Sequence, residues 1–150
     1  MMIYADNAAT TKMSKTAADT MFSMINEAWG NPSSLYMHGQ RAKEILEEAR
    51  AEVAEVIGAE PREIIFTSGG SEADNQAIIS AATIGLKKGK MHIISSAFEH
   101  HAVLHTLEKL RKQGFDITLL DVHENGIIAP QEVEAAIRED TCLVTIMTAN

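Results

Sequence analysis

Aromatic residues are scarce in this 150-residue chain, at 5% of the total, and it has three prolines and a single cysteine. One cysteine excludes an internal disulfide, and without a Cys-x-x-Cys pair or a Cys/His cluster the spacing of a zinc site is missing, so no metal is expected. No apolar run approaches the roughly 20 residues that a membrane-spanning helix needs. The first eleven residues show no basic stretch followed by an apolar one, so no secretory leader is visible. Positive charge is in the minority: 13 Lys and Arg stand against 21 Asp and Glu, a formal net charge of −8. With no Lys/Arg run, that balance argues against nucleic acid or a membrane surface as partner. Repeats, low-complexity tracts and an obvious linker are absent too. What remains is a composition 45% hydrophobic and 23% charged, long enough for one core and expected of a cytoplasmic globular protein.

The segments that are present alternate between helical and extended patterns. Residues 3–11 read as an extended lead-in, followed by a helix over 14–29 with Met21, Met24, Ile25 and Ala28 on one face. Gly30-Asn31-Pro32-Ser33-Ser34 is a loop, because each of its residues favours turns or caps. The clearest helix spans 40–57: Ala42, Ile45, Leu46, Ala49, Val53, Val56 and Ile57 recur at spacings of three and four, and Gly58 supplies the stop. Strands are expected over 64–67, 91–95, 116–120 and 142–148, with helices over 71–86, 101–113 and 130–138 between them. That alternation predicts an α/β fold with a mostly parallel sheet flanked by helices. The sheet reads as unfinished, like the first part of a larger domain.

Two segments carry the chemistry. In the run from Phe66 through Thr67, Ser68, Gly69, Gly70 and Ser71 to Asn75, a strand gives way to two glycines and a helix that opens at a hydroxyl residue. Unpaired backbone N–H groups and the positive helix end then converge on one point, which suits a phosphate. A strand-to-helix turn with Ser71 as its cap explains the same residues. Neither the Walker loop nor the dinucleotide fingerprint fits, since no lysine follows the glycines and their spacing differs. Glu99-His100-His101 lies just past the second strand, where a histidine can stack on a flat ligand, exchange protons near neutral pH, or be merely structural. Cys142 sits inside an apolar strand and reads as a buried small residue rather than a nucleophile.

Taken together, the segments resemble the cysteine desulfurases, the NifS/IscS-like enzymes of the class-V aminotransferase family. The resemblance rests on Tyr4-Ala5-Asp6-Asn7-Ala8-Ala9-Thr10-Thr11; on Gly30-Asn31-Pro32-Ser33-Ser34 with His38 and Gly39; on residues 66–75; on Glu99-His100-His101-Ala102-Val103-Leu104; and on Asn125-Gly126-Ile127-Ile128. The strand ending in Met147-Thr148-Ala149-Asn150 also matches in order and spacing. The resemblance implies a pyridoxal 5'-phosphate enzyme of fold type I, with residues 1–13 an N-terminal extended segment and 14–150 an incomplete cofactor-binding large domain. It implies that Gly70 and Ser71 hold the cofactor phosphate, although the family commonly has Thr where Ser71 stands. His100 would stack on the pyridine ring and help in proton transfer, and Asn7 and Asn31 would line the substrate cleft.

The reaction implied is removal of sulfur from L-cysteine to give L-alanine and an enzyme persulfide, for iron–sulfur cluster or thionucleoside synthesis. The family works as homodimers that hand sulfur to scaffold or tRNA-thiolation proteins. The family's Schiff-base lysine motif, its pyridinium aspartate and its persulfide cysteine have no counterpart here, and Cys142 does not match that cysteine in context. The chain by itself is therefore expected to be a truncated, inactive piece of the enzyme. A selenocysteine lyase or another class-V enzyme is the alternative activity. A non-enzymatic fragment retaining phosphate binding or dimer contacts is the alternative of another kind.

Overall fold

The computed structural model describes residues 3–7 and 9–150; Met1, Met2 and Ala8, all within the expected N-terminal extended segment 1–13, lie outside the described residues. The chain forms two compact units, Met1–Ile65 and Phe66–Asn150.

The first unit carries two helices. Helix α1 spans Lys15–Glu27, and the Ser14 hydroxyl caps it by accepting from the Ala17 N–H at 3.1 Å. Helix α2 spans Met37–Ile57, three residues longer at its start than the apolar spacing indicated, and stops at Gly58, whose φ of 70° is left-handed. Gly30 and Gly39 are needed for close approach. A Cβ on Gly30 would overlap the backbone of His38, and one on Gly39 would overlap the Ser34 hydroxyl and the Asn31 carbonyl. The loop of residues 30–34 is thus pressed against the first turn of α2. The strand expected over 64–67 does not form. A strand exists only as part of a ladder, and these residues pair with no other strand among the described residues. Instead the Ile64 carbonyl accepts from the Arg50 guanidinium, and Ile65 stays exposed.

The second unit holds α3 (Gly70–Lys87), β1 (His92–Ser96), α4 (His101–Lys112), β2 (Asp116–Leu120), α5 (Pro130–Ala136) and β3 (Thr141–Thr145). The strands form one sheet in the order β2-β1-β3, and both pairings are parallel. Three of the four expected strands are therefore present. The core is built from Ile78 and Ala82 of α3, Ile93 of β1, Val103, Leu107 and Leu110 of α4, and Phe115 and Ile117 around β2. Burying the Ile, Val, Leu and Phe side chains among them contributes about 1.5–3 kcal/mol each.

Strand β1 is buried along its whole length although three of its five residues are polar. Its partners explain this: His92 Nδ1 lies 2.7 Å from Thr141 Oγ1, and Nε2 lies 2.9 Å from Thr118 Oγ1, so one imidazole spans the sheet. Burial holds the His92 pKa below its ordinary value, an effect that nearby Arg138 reinforces and Asp116 and Asp140 oppose. Gly85 has a packing reason: a Cβ there would collide with Cys142 and with the Lys90 carbonyl, where α3 crosses β3.

Candidate functional site

Because all three strands run the same way, their carboxyl ends share one edge of the sheet, the edge at which open parallel sheets bind ligands. Helix α4 starts there, with four residues between it and the end of β1.

Helix α3 begins at Gly70, one residue earlier than expected, which makes Gly69 its N-cap and Ser71 its second helical residue. Ser71 is therefore not the cap, and no side chain caps this helix. The Glu72 and Ala73 N–H groups return to the Gly69 carbonyl, both at 3.1 Å. Among the described residues, the N–H groups of Gly69, Gly70 and Ser71 and the Ser71 hydroxyl make no hydrogen bond. Neither Gly69 nor Gly70 needs to be glycine for the chain's own sake. A Cβ on either meets nothing within 4 Å, and neither φ lies in the left-handed region. What the two glycines do is leave three free donors uncovered at the positive end of a helix of 18 residues. Glu72, the one acid in that first turn, is turned away: its carboxylate accepts from the Ser68 N–H at 2.6 Å and the Ser68 hydroxyl at 2.7 Å. Those two bonds, side chain first, hold its pKa below the usual carboxylate value.

His100 stands at the N-cap of α4, where its Nδ1 accepts from the Ala102 N–H at 3.1 Å. With Nδ1 accepting, the ring's proton is on Nε2, which is left free. Ser71 and His100 line the same open cavity of about 470 Å³, together with Asn75, His101, His105 and Lys109. His101 and His105 stack, with ring centroids 5.6 Å apart. Their four-residue spacing on one helix face is legible in the sequence.

The connection from β1 to α4 is held by a carboxylate that the sequence reading assigned no role. Glu99 is 6% exposed, and its Oε1 accepts from the Ser96 hydroxyl at 2.9 Å and the Met147 N–H at 2.8 Å. Asn150 Nδ2 adds a bond to the Phe98 carbonyl at 2.8 Å. The residues just before His100 are thus tied to the chain that follows β3.

Asn7 and Asn31 belong to the first unit. Both are exposed, and Asn31 Oδ1 accepts from the Ser33 N–H at 2.9 Å, which makes it the organiser of its own loop. Cys142 is half-buried rather than buried, with its Sγ 3.4 Å from the His92 carbonyl. Burial pushes its thiol pKa up, which removes it from the range of an activated nucleophile. Among the described residues no group of three or more His, Cys, Asp or Glu could hold a metal ion, and no helix is long and apolar enough to cross a membrane.

A parallel α/β unit that leaves helix-start amides and a hydroxyl free, beside a histidine lining the same cavity, presents groups suited to an anion. The chain belongs to the class-V aminotransferase family: that family's profile, described as "Aminotransferase class-V", matches residues 3–150. Members of this family are pyridoxal-phosphate enzymes. The chain is 48% identical over 148 residues to the cysteine desulfurase IscS of Methanosarcina thermophila, covering 99% of this chain and 36% of that relative. Among solved structures, one described as a NifS-like protein matches at a TM-score of 0.94 and 38% identity, over all of this chain and 41% of the other. Another, described as SspA in complex with cysteine, matches at a TM-score of 0.89 and 39% identity, over 95% of this chain and 41% of the other. The chain thus spans about two fifths of the length of these relatives.

Proposed function

We propose that this chain is the cofactor-phosphate-binding part of a cysteine desulfurase, an enzyme that takes sulfur from L-cysteine and leaves L-alanine. The observation that carries the reading is the uncovered amide cradle at the start of α3, sharing one cavity wall with His100. Further support comes from relatives called cysteine desulfurases and from a similar fold solved with cysteine.

When bound, pyridoxal phosphate supplies an electron sink for negative charge at the substrate α-carbon. The geometry of the chain supports the following roles for its own residues. The Gly70 and Ser71 N–H groups and the Ser71 hydroxyl hold the phosphate at the helix end. Lys109, on the wall of the same cavity, adds positive charge, while Glu72 is kept out of the way by Ser68. His100 offers its ring face to the pyridine and holds a proton at Nε2, with Nδ1 fixed on the Ala102 N–H. Asn7 and Asn31 are assigned to the substrate cleft on the family resemblance.

Residues 14–150 are assigned to the large, cofactor-binding domain. The complete enzyme is a cytoplasmic homodimer whose thiol attacks the substrate sulfur. The carbon–sulfur bond breaks, a sulfur–sulfur bond forms, and the persulfide sulfur passes to an acceptor protein serving iron–sulfur cluster or thionucleoside synthesis. No counterpart of that thiol, or of the lysine that anchors the cofactor, is found in these 150 residues.

The test is alanine formation from L-cysteine with pyridoxal phosphate and a thiol reductant. The expected outcome is alanine and sulfide from a chain that carries these residues with a lysine- and thiol-bearing continuation, and none from the 150-residue chain by itself. Turnover by the 150 residues unaided would contradict the reading.

A further inference from the structure

We infer that Asn75 is a positioning residue that fixes the spacing between the phosphate cradle and His100, an inference that rests on the pyridoxal-phosphate reading above. Asn75 lies one turn into α3. Its Nδ2 donates to the Ser71 carbonyl at 2.7 Å and reaches toward the Ala102 carbonyl at 3.5 Å. Its Oδ1 accepts from the Thr106 hydroxyl of α4 at 2.6 Å, and that hydroxyl is also 2.8 Å from the Ala102 carbonyl. One amide therefore touches the residue that offers the phosphate its hydroxyl. Through Thr106 it also touches Ala102, the residue whose N–H holds the His100 ring. Thr106 is 4% exposed, so water does not compete for the link.

The consequence is specific. A ligand with a phosphate at one end and an aromatic ring at the other gains from both contacts only if their separation is fixed beforehand. Loosening the separation weakens that ligand and spares one that touches the cradle alone. A residue that merely kept α3 folded would affect both ligands alike.

Isothermal titration of the chain and its variants with two probes separates these cases. Pyridoxamine 5'-phosphate carries ring and phosphate without an aldehyde, so its binding does not depend on a lysine; inorganic phosphate engages the cradle only. Asn75→Ala is expected to weaken pyridoxamine phosphate about tenfold while inorganic phosphate stays within about twofold. Thr106→Val, which removes the hydroxyl and keeps the shape, shifts the same ratio in the same direction by a few-fold. If circular dichroism shows Asn75→Ala unfolded, Thr106→Val decides the matter. Unchanged affinity for both probes, or equal loss of both, overturns the inference and leaves the cofactor reading standing. An unsubstituted chain that binds phosphate but gains nothing from the ring overturns the cofactor reading, and this inference with it.

Discussion

Ser71 and Gly70 are the residues at which the account is most exposed to test. Among the described residues the Ser71 hydroxyl makes no hydrogen bond, so losing it removes no such bond from the fold. Ser71→Ala is expected to leave thermal stability unchanged and to weaken pyridoxamine phosphate by about five- to tenfold, the worth of one hydrogen bond to a charged group. Ser71→Thr keeps the hydroxyl and restores the affinity. A calorimetric titration of the three proteins checks this. His92 makes a different prediction. Its pKa is lowered in the folded state, so the unfolded chain binds the extra proton first, and stability falls as pH drops below about 6.5. Above that value the group contributes no pH dependence. Urea midpoints measured at about pH 7.5 and about pH 5.5 should therefore differ, and His92→Gln should reduce the difference. An unchanged difference in the variant contradicts the assignment.

Two glycines in the same helix give the clearest contrast between structure and function. Gly85 faces Cys142 and the Lys90 carbonyl, so Gly85→Ala overpacks the contact between α3 and β3 and is expected to cost about 1–3 kcal/mol. Gly70 faces open space, so Gly70→Ala leaves the melting temperature level or slightly raised. It places a methyl group where the cradle needs clearance, and cofactor-analogue affinity drops. Paired melting and titration curves on the two variants show whether the helix divides in this way. Most of this architecture was legible in the sequence. The α3–β1–α4–β2 succession follows from apolar periodicity and from the turn residues between the elements. The strand over 64–67 was misread because a short apolar run reports that a segment can be extended, not that a neighbouring strand exists to pair with it. Ser71 was ambiguous for a related reason: cap and anion hook use the same residue type, and only the position of Gly69 as N-cap separates them. Glu99 and Asn75 were missed as organisers because their partners, Met147 and Thr106, are remote in sequence.

The first unit leaves large apolar side chains exposed. Phe22, Ile25, Trp29, Leu35, Tyr36 and Met37 are all more than two thirds exposed, and α1 buries none of its residues. So many large apolar side chains left exposed favour association. Strand β3 lies at an edge of its sheet, with Val144 exposed, and offers a second adhesive surface. Sedimentation velocity on the isolated 16.3 kDa chain should accordingly show species heavier than the monomer. A sharp monomer peak with no binding of a hydrophobic dye contradicts that expectation. The central claim, that the start of α3 and His100 together receive pyridoxal phosphate, is tested most directly by amide and imidazole NMR during titration with pyridoxamine 5'-phosphate. Saturable shifts are expected at the Gly69, Gly70 and Ser71 amides and at the His100 ring. Shifts confined to other surfaces, or none at all, would contradict it.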